Sequence, residues 1–254
     1  MPPSDLIDVH AHLGDACFDD DREEVLERAR AAEVVAIVAV GETLADAETN
    51  LALAGRHGEL VRPTAGLHPT VLDLDQAREI ASWIRLHRSR LAAIGEVGLD
   101  HWKVQDERER AVQHEIFLLF VKLATELDLP LNVHSRSAGR HTIGVLLEAG
   151  ARRVLMHAFD GRAASALPGV EAGYLFSVPP SVVRSPQKQK LVRRLPLECL
   201  LLETDSPVLG AHPDARNEPA NVRISLRAVA ELKGVREEEV AVATTENARR
   251  LFGW

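Results

Sequence analysis

The chain reads as an α/β protein of the (β/α)8 TIM-barrel type. Three observations predict this. Short apolar stretches alternate with amphipathic ones along the whole length. There are eight such units in 254 residues, the size of that barrel. The unusual polar residues gather where the apolar stretches end, which is where a barrel of this type collects its chemistry.

Strands are predicted near 6–13, 34–40, 61–67, 92–99, 130–135, 153–159, 173–179 and 199–204. They are rich in Val, Ile and Leu and almost continuously apolar, as parallel strands covered on both faces should be. Helices are predicted at 22–32, 44–57, 75–87, 106–127, 142–149 and 185–195 between them, and at 218–233 and 236–252 to close the chain. Gly41 follows the second strand and Gly150 the fifth helix, where turn and cap residues belong. No linker or low-complexity run interrupts the pattern, so residues 1–254 are read as one unit. An open doubly wound sheet is the alternative, but no Gly-rich phosphate loop follows the first strand.

A formal net charge of −8 argues against a passive nucleic-acid coat protein, which would be basic, but leaves room for an enzyme that grips phosphates through metal ions. No apolar run approaches the roughly 18 residues of a membrane span. The first residues lack a signal-peptide profile, so the cytoplasm is the expected location. Cys17 and Cys199 have no metal or redox spacing, and Cys199, in an apolar run, reads as a buried reduced thiol.

The first strand carries His10 and His12, which share a face because strand side chains alternate. Glu96 sits inside an otherwise apolar fourth strand, where a carboxylate is costly unless paired or metal-bound. The fifth, sixth and eighth strands end in His134, His157 and Asp205. Singly, each has an ordinary explanation: a satisfied core histidine, a salt-bridged glutamate, a turn aspartate before Ser206-Pro207. As a set they predict a binuclear centre. His10, His12, Glu96 and Asp205 would hold one divalent ion, and Glu96, His134 and His157 the other. Imidazole and carboxylate without thiolate suit Zn, Mn, Ni or Fe, with Mg where oxygen dominates.

At this point the chain resembles the TatD-type deoxyribonucleases, a branch of the amidohydrolase-like metal-dependent hydrolases built on a TIM barrel. The motifs are Asp8-Val9-His10-Ala11-His12-Leu13, Gly66-Leu67-His68-Pro69, Gly95-Glu96-Val97-Gly98-Leu99-Asp100, His134-Ser135-Arg136, His157-Ala158-Phe159-Asp160-Gly161 and Glu203-Thr204-Asp205-Ser206-Pro207. They run in the family's order across essentially the whole chain. Residues 131–140, 178–181, 187–191 and 216–219 resemble the third TatD-domain protein of animals. The resemblance implies a DNA phosphodiesterase, exonucleolytic from a 3′ end, and carries over the same six metal positions. Two departures stand out. His101-Trp102 follows Gly-Leu-Asp where the family has an aromatic residue first, and the stretch between His68 and Glu96 is shorter than in the animal proteins.

The expected chemistry is in-line attack on a phosphodiester by a water shared between two cations and thereby acidified. Asp205 and Glu96 are the catalytic candidates, with Asp205 orienting the water and taking its proton. The expected substrate is DNA, single-stranded or at 3′ ends, with no organic cofactor, membrane or obligate protein partner. His68, Arg136, Glu203 and Trp102 are candidates on the substrate side. Arg136 has a planar donor fork suited to two phosphate oxygens, and Trp102 could stack on an unpaired base or pack under a loop. Glu203, on the same face as Asp205, could instead orient a ligand histidine or pair with an arginine. Asp8 reads as a support for His10. Asn217 and Pro219 read as the cap and first turn of the next helix. The basic run Arg184, Lys188, Lys190, Arg193 and Arg194 spreads around a helix and reads as a solvated surface. Two other functions remain open: hydrolysis of a small ester, amide or aminoacyl-tRNA ester by the same centre, and metal or nucleic-acid binding without turnover.

Overall fold

The computed structural model describes residues 5–254. Eight strands, β1 (Leu6–Ala11), β2 (Val34–Ala39), β3 (Val61–Ala65), β4 (Ala93–Gly98), β5 (Leu131–His134), β6 (Val154–Met156), β7 (Leu175–Val178) and β8 (Leu200–Leu202), form one sheet in sequential order. Every neighbouring pair is parallel. The barrel closes between β1 and the chain just beyond β8. There the His12 N–H donates to Ser206 O at 2.8 Å and the Asp205 N–H to His10 O at 2.8 Å. The closing seam therefore sets three of the predicted ligands side by side.

Helices α1 (Arg22–Ala31), α2 (Leu44–His57), α3 (Leu74–His87), α4 (Glu107–Leu127), α5 (Gly139–Glu148), α6 (Ala163–Glu171), α7 (Pro186–Arg194) and α8 (Val222–Lys233) cover the outside. Local chemistry starts them where the sequence signals lie. Thr43 and Asp46 exchange a capping box at α2, Asp73 accepts from two amides at α3, and Asp106 accepts from the Arg108 and Glu109 amides at α4. Helix α6 was not anticipated; Pro168 and Gly169 lie inside it and read as breakers in sequence. Helix α8 begins at Val222, later than expected. Residues 219–221 form a 3-10 turn, and Asn217 caps nothing. Its Nδ2 donates instead to Thr204 O (2.7 Å) and Val208 O (2.8 Å), tying down the loop that carries Asp205.

Helix α9 (Glu237–Phe252) lies across the end of the barrel where strands begin. Thr245 Oγ1 donates to Asp5 O, Asn247 Nδ2 to Leu200 O, and Arg153 grips Leu251 O. Val240, Ala248, Leu251 and Phe252 of this helix are buried against that end. Among the described residues no helix is long and apolar enough to cross a membrane. Cys17 is exposed and Cys199 buried, both as free thiols.

Candidate metal centre

The six predicted ligands meet at the mouth. His10 Nε2 and His12 Nε2 are 3.3 Å apart. Glu96 Oε2 lies 3.7 and 3.6 Å from them, and Asp205 Oδ1 lies 3.5 and 3.3 Å from them. Donors on a tetrahedral ion with bonds of about 2.0–2.1 Å are separated by about 3.3 Å, and the His10, His12 and Glu96 donors lie close enough together to hold one cation, with Asp205 Oδ1 beside both imidazoles. The other oxygen of the same carboxylate, Glu96 Oε1, faces a second group: His134 Nδ1 at 2.6 Å and His157 Nε2 at 3.5 Å. Glu96 is 2 % exposed, and among the described residues its ionic neighbours are all histidines. A buried carboxylate ringed by four imidazoles and no Lys or Arg fits a bridging metal ligand better than a structural ion pair. His68 can also approach, since one of its nitrogens lies within 4.8 Å of donor atoms of Glu96 and His134.

A second layer fixes the imidazoles. His10 Nδ1 is 2.9 Å from Asn132 Oδ1, His134 Nε2 is 3.1 Å from Asp100 Oδ2, and His157 Nδ1 is 3.1 Å from Glu203 Oε2. Each leaves the other ring nitrogen for a cation, the arrangement that orients metal-binding histidines. Asp8 accepts from the His10 and Thr204 amides and from Thr204 Oγ1, riveting β1 to the chain beyond β8. Asp205 holds its place at φ +54°, a backbone region an aspartate tolerates better than most residues.

The electrostatics show what the cations would displace. Burial opposes charge on His12 and His134, but the neighbouring carboxylates win and lift them to about 9 and about 10. His157 is also raised, with Glu203 and Asp205 overcoming burial. Burial wins at His10, lowering it to about 4 with help from His157, whose ring stacks on it at 3.6 Å. Burial would raise Glu96, but the charges of His134, His157 and His10 hold it well below the usual carboxylate range. Asp205 is likewise lowered against burial, by His157 and His12.

A cleft of about 440 Å³ opens over these groups. His68, Ser135, Arg136, Asp160 and Lys188 line it beside the ligands. Of the substrate-side expectations, His68 and Arg136 reach the cleft. Glu203 does not: it is fully buried beneath His157, accepting from the Ala158 amide and from Ser177 Oγ, so it orients a histidine and touches no substrate. Trp102 is half exposed and outside the cleft lining, with the Arg136 guanidinium over its ring at 3.7 Å. That face is unavailable to a base, and the indole acts as a shelf for Arg136.

Sequence reasoning gave no role to Asp100, Asn132 or Ser135. The acidic end of Gly98-Leu99-Asp100, directly after a strand, was a signal for the first. It also misplaced Lys188, which is buried in the cleft wall rather than solvated. The signal was present: Lys188 shares the inner face of α7 with Leu191 and Val192 at i, i+3 and i+4.

The closed eight-stranded parallel barrel, with this histidine–carboxylate cluster at its C-terminal mouth, is that of a metal-dependent hydrolase. The chain belongs to the TatD-related DNase family, whose model matches residues 7–253. It is 47% identical to human "Deoxyribonuclease TATDN3", covering 97% of this chain and 94% of that protein. It is 36% identical to the "Uncharacterized metal-dependent hydrolase YabD" of Bacillus subtilis, covering 97% and 98%. The crystal structure of YJJV, a TatD homologue from Escherichia coli, superposes with a TM-score of 0.90 at 28% identity over 100% of both chains.

Proposed function

We propose that this chain hydrolyses phosphodiester bonds in DNA, using two divalent cations held at the mouth. One cation would bind His10, His12, Glu96 and Asp205, the other Glu96, His134 and His157. The observation that carries the reading is the division of Glu96: one oxygen faces His10 and His12, the other His134 and His157. When bound there, the cations would supply acidification of water and neutralisation of phosphate charge, and Zn, Mn, Mg, Ni or Fe would all suit the donors.

The chain's own groups supply the rest. Asp205 stays ionised, so its carboxylate can accept the proton of the attacking water. Arg136, braced on Trp102, offers a planar fork to phosphate oxygens. Burial lowers His68, favouring neutral imidazole, with Nδ1 2.7 Å from Thr70 Oγ1. The names of the animal relatives and the cationic side chains in the cleft favour DNA over a neutral ester. Single strands or 3′ ends are the proposed form of that DNA.

The test is digestion of end-labelled single-stranded DNA beside a panel of esters, with metal-loaded protein. DNA should be shortened, a chelator should stop it, and Asp205→Asn and His134→Ala should each lose activity at least about 100-fold. Ester turnover without DNA cleavage, or full activity in both variants, would reject the proposal.

A further inference from the structure

Among the described residues Lys188 is the only Lys or Arg that is buried, at 9 % exposure. Its Nζ donates to Ala158 O at 2.8 Å, and no carboxylate lies within 4.0 Å of it among the described residues. An ammonium carries three donors and no acceptor. One donor is used, and the residue forms part of the wall of the 440 Å³ cleft, beside His157 and Asp205. A cation withdrawn from water without a paired anion is costly, so such a site gains by receiving one. Burial pulls its pKa down, while the more distant Glu203, Asp160 and Asp205 favour the charged form.

A second, independent observation lies in the same cleft. Ser135 is 3 % exposed, lines the wall, and its Oγ has no hydrogen-bond partner. Buried hydroxyls without partners are rare and mark a place where something else completes the bonding. Its neighbour Arg136 lines the cleft too. An ammonium, a free hydroxyl and a guanidinium together suit an anion with several oxygens. That describes a phosphate group, and it does not describe a neutral ester or amide.

We propose that Lys188 and Ser135 form a phosphate-binding subsite in the cleft wall, separate from the candidate cation ligands, which positions a charged phosphate group of the substrate. This assigns a substrate-positioning role to a helix-α7 lysine and a β5-end serine, and it rests on the phosphodiester reading above.

Inorganic phosphate is the probe, titrated calorimetrically into metal-loaded and into chelator-treated full-length protein. Lys188→Met should weaken phosphate binding at least about tenfold in both forms, and Ser135→Ala by about threefold. Lys188→Arg should bind within about threefold of the parent, because it keeps the charge. In the DNA assay Lys188→Met should raise KM with kcat little changed. Four outcomes would overturn the proposal: no phosphate binding by the parent, unchanged binding in Lys188→Met, an equal loss in Lys188→Arg, or a fall in kcat with unchanged KM. Phosphate titration needs no turnover, so it still returns an answer if the chain fails to cut DNA.

Discussion

Loading metal into this cleft should expel protons, and the number follows from the site. In the metal-free protein His12 and His134 are lifted to about 9 and about 10 by the carboxylates around them. At pH 7 each is therefore about 99% protonated or more. A cation needs the free imidazole, so it competes with those protons. The sign is fixed by the direction of the shift: raised histidine pKa values mean protons are bound at neutral pH and must leave, and affinity falls as pH drops. His10, lowered to about 4, is already neutral and contributes none. His157 is raised and adds to the count. Filling both sites at pH 7 should thus release at least about two protons, and the overall affinity should weaken about 100-fold for each unit of pH below 7. The assay is calorimetric titration of metal-free protein in buffers of differing ionisation enthalpy at pH 6, 7 and 8. The slope of heat against buffer enthalpy counts the protons. A count near zero, or affinity flat across that range, would refute the electrostatic account of the site.

Two further outcomes test how the fold holds the ligands. Gly66 follows β3, and a Cβ there would stand 2.5 Å from Glu96 O and 2.7 Å from Gly95 C, both backbone atoms that cannot rotate away. Gly66→Ala should cost about 1–3 kcal/mol, lower Tm by roughly 2–12 °C by calorimetry, and reduce bound metal; an unchanged Tm would show that the contact relaxes freely. Asn217→Ala removes two buried donors from the Asp205 loop and should cost about 1–3 kcal/mol in denaturant unfolding, with weaker metal retention, whereas wild-type stability would show that the loop holds itself.

Much of this protein was legible along the chain. The near-continuous apolar runs and amphipathic intervals specified eight β–α units, because strands covered on both faces must be continuously apolar. The ligands were legible because a charged group at the end of such a strand has no cheap structural explanation. Helix α6 was not, since Pro168 and Gly169 locally contradict a helix that packing nevertheless enforces. The fate of the supporting residues also lay outside local pattern. Their spacing put Glu203 and Asp205 on one face, but β8 ends at Leu202 and the chain turns through Asp205 at φ +54°, so one ends beneath His157 and the other at the cleft. Lys188 looked like one cation in a basic run until α7 turned it inward. The sequence alone therefore determined the barrel, the candidate ligands and the donor chemistry they offer, because these follow from residue type and spacing along single elements. Only the tertiary structure decided how Glu96 divides its oxygens, which acid orients which imidazole, and which cation is buried, because those depend on distances between strands that are remote in sequence and meet only when the barrel closes.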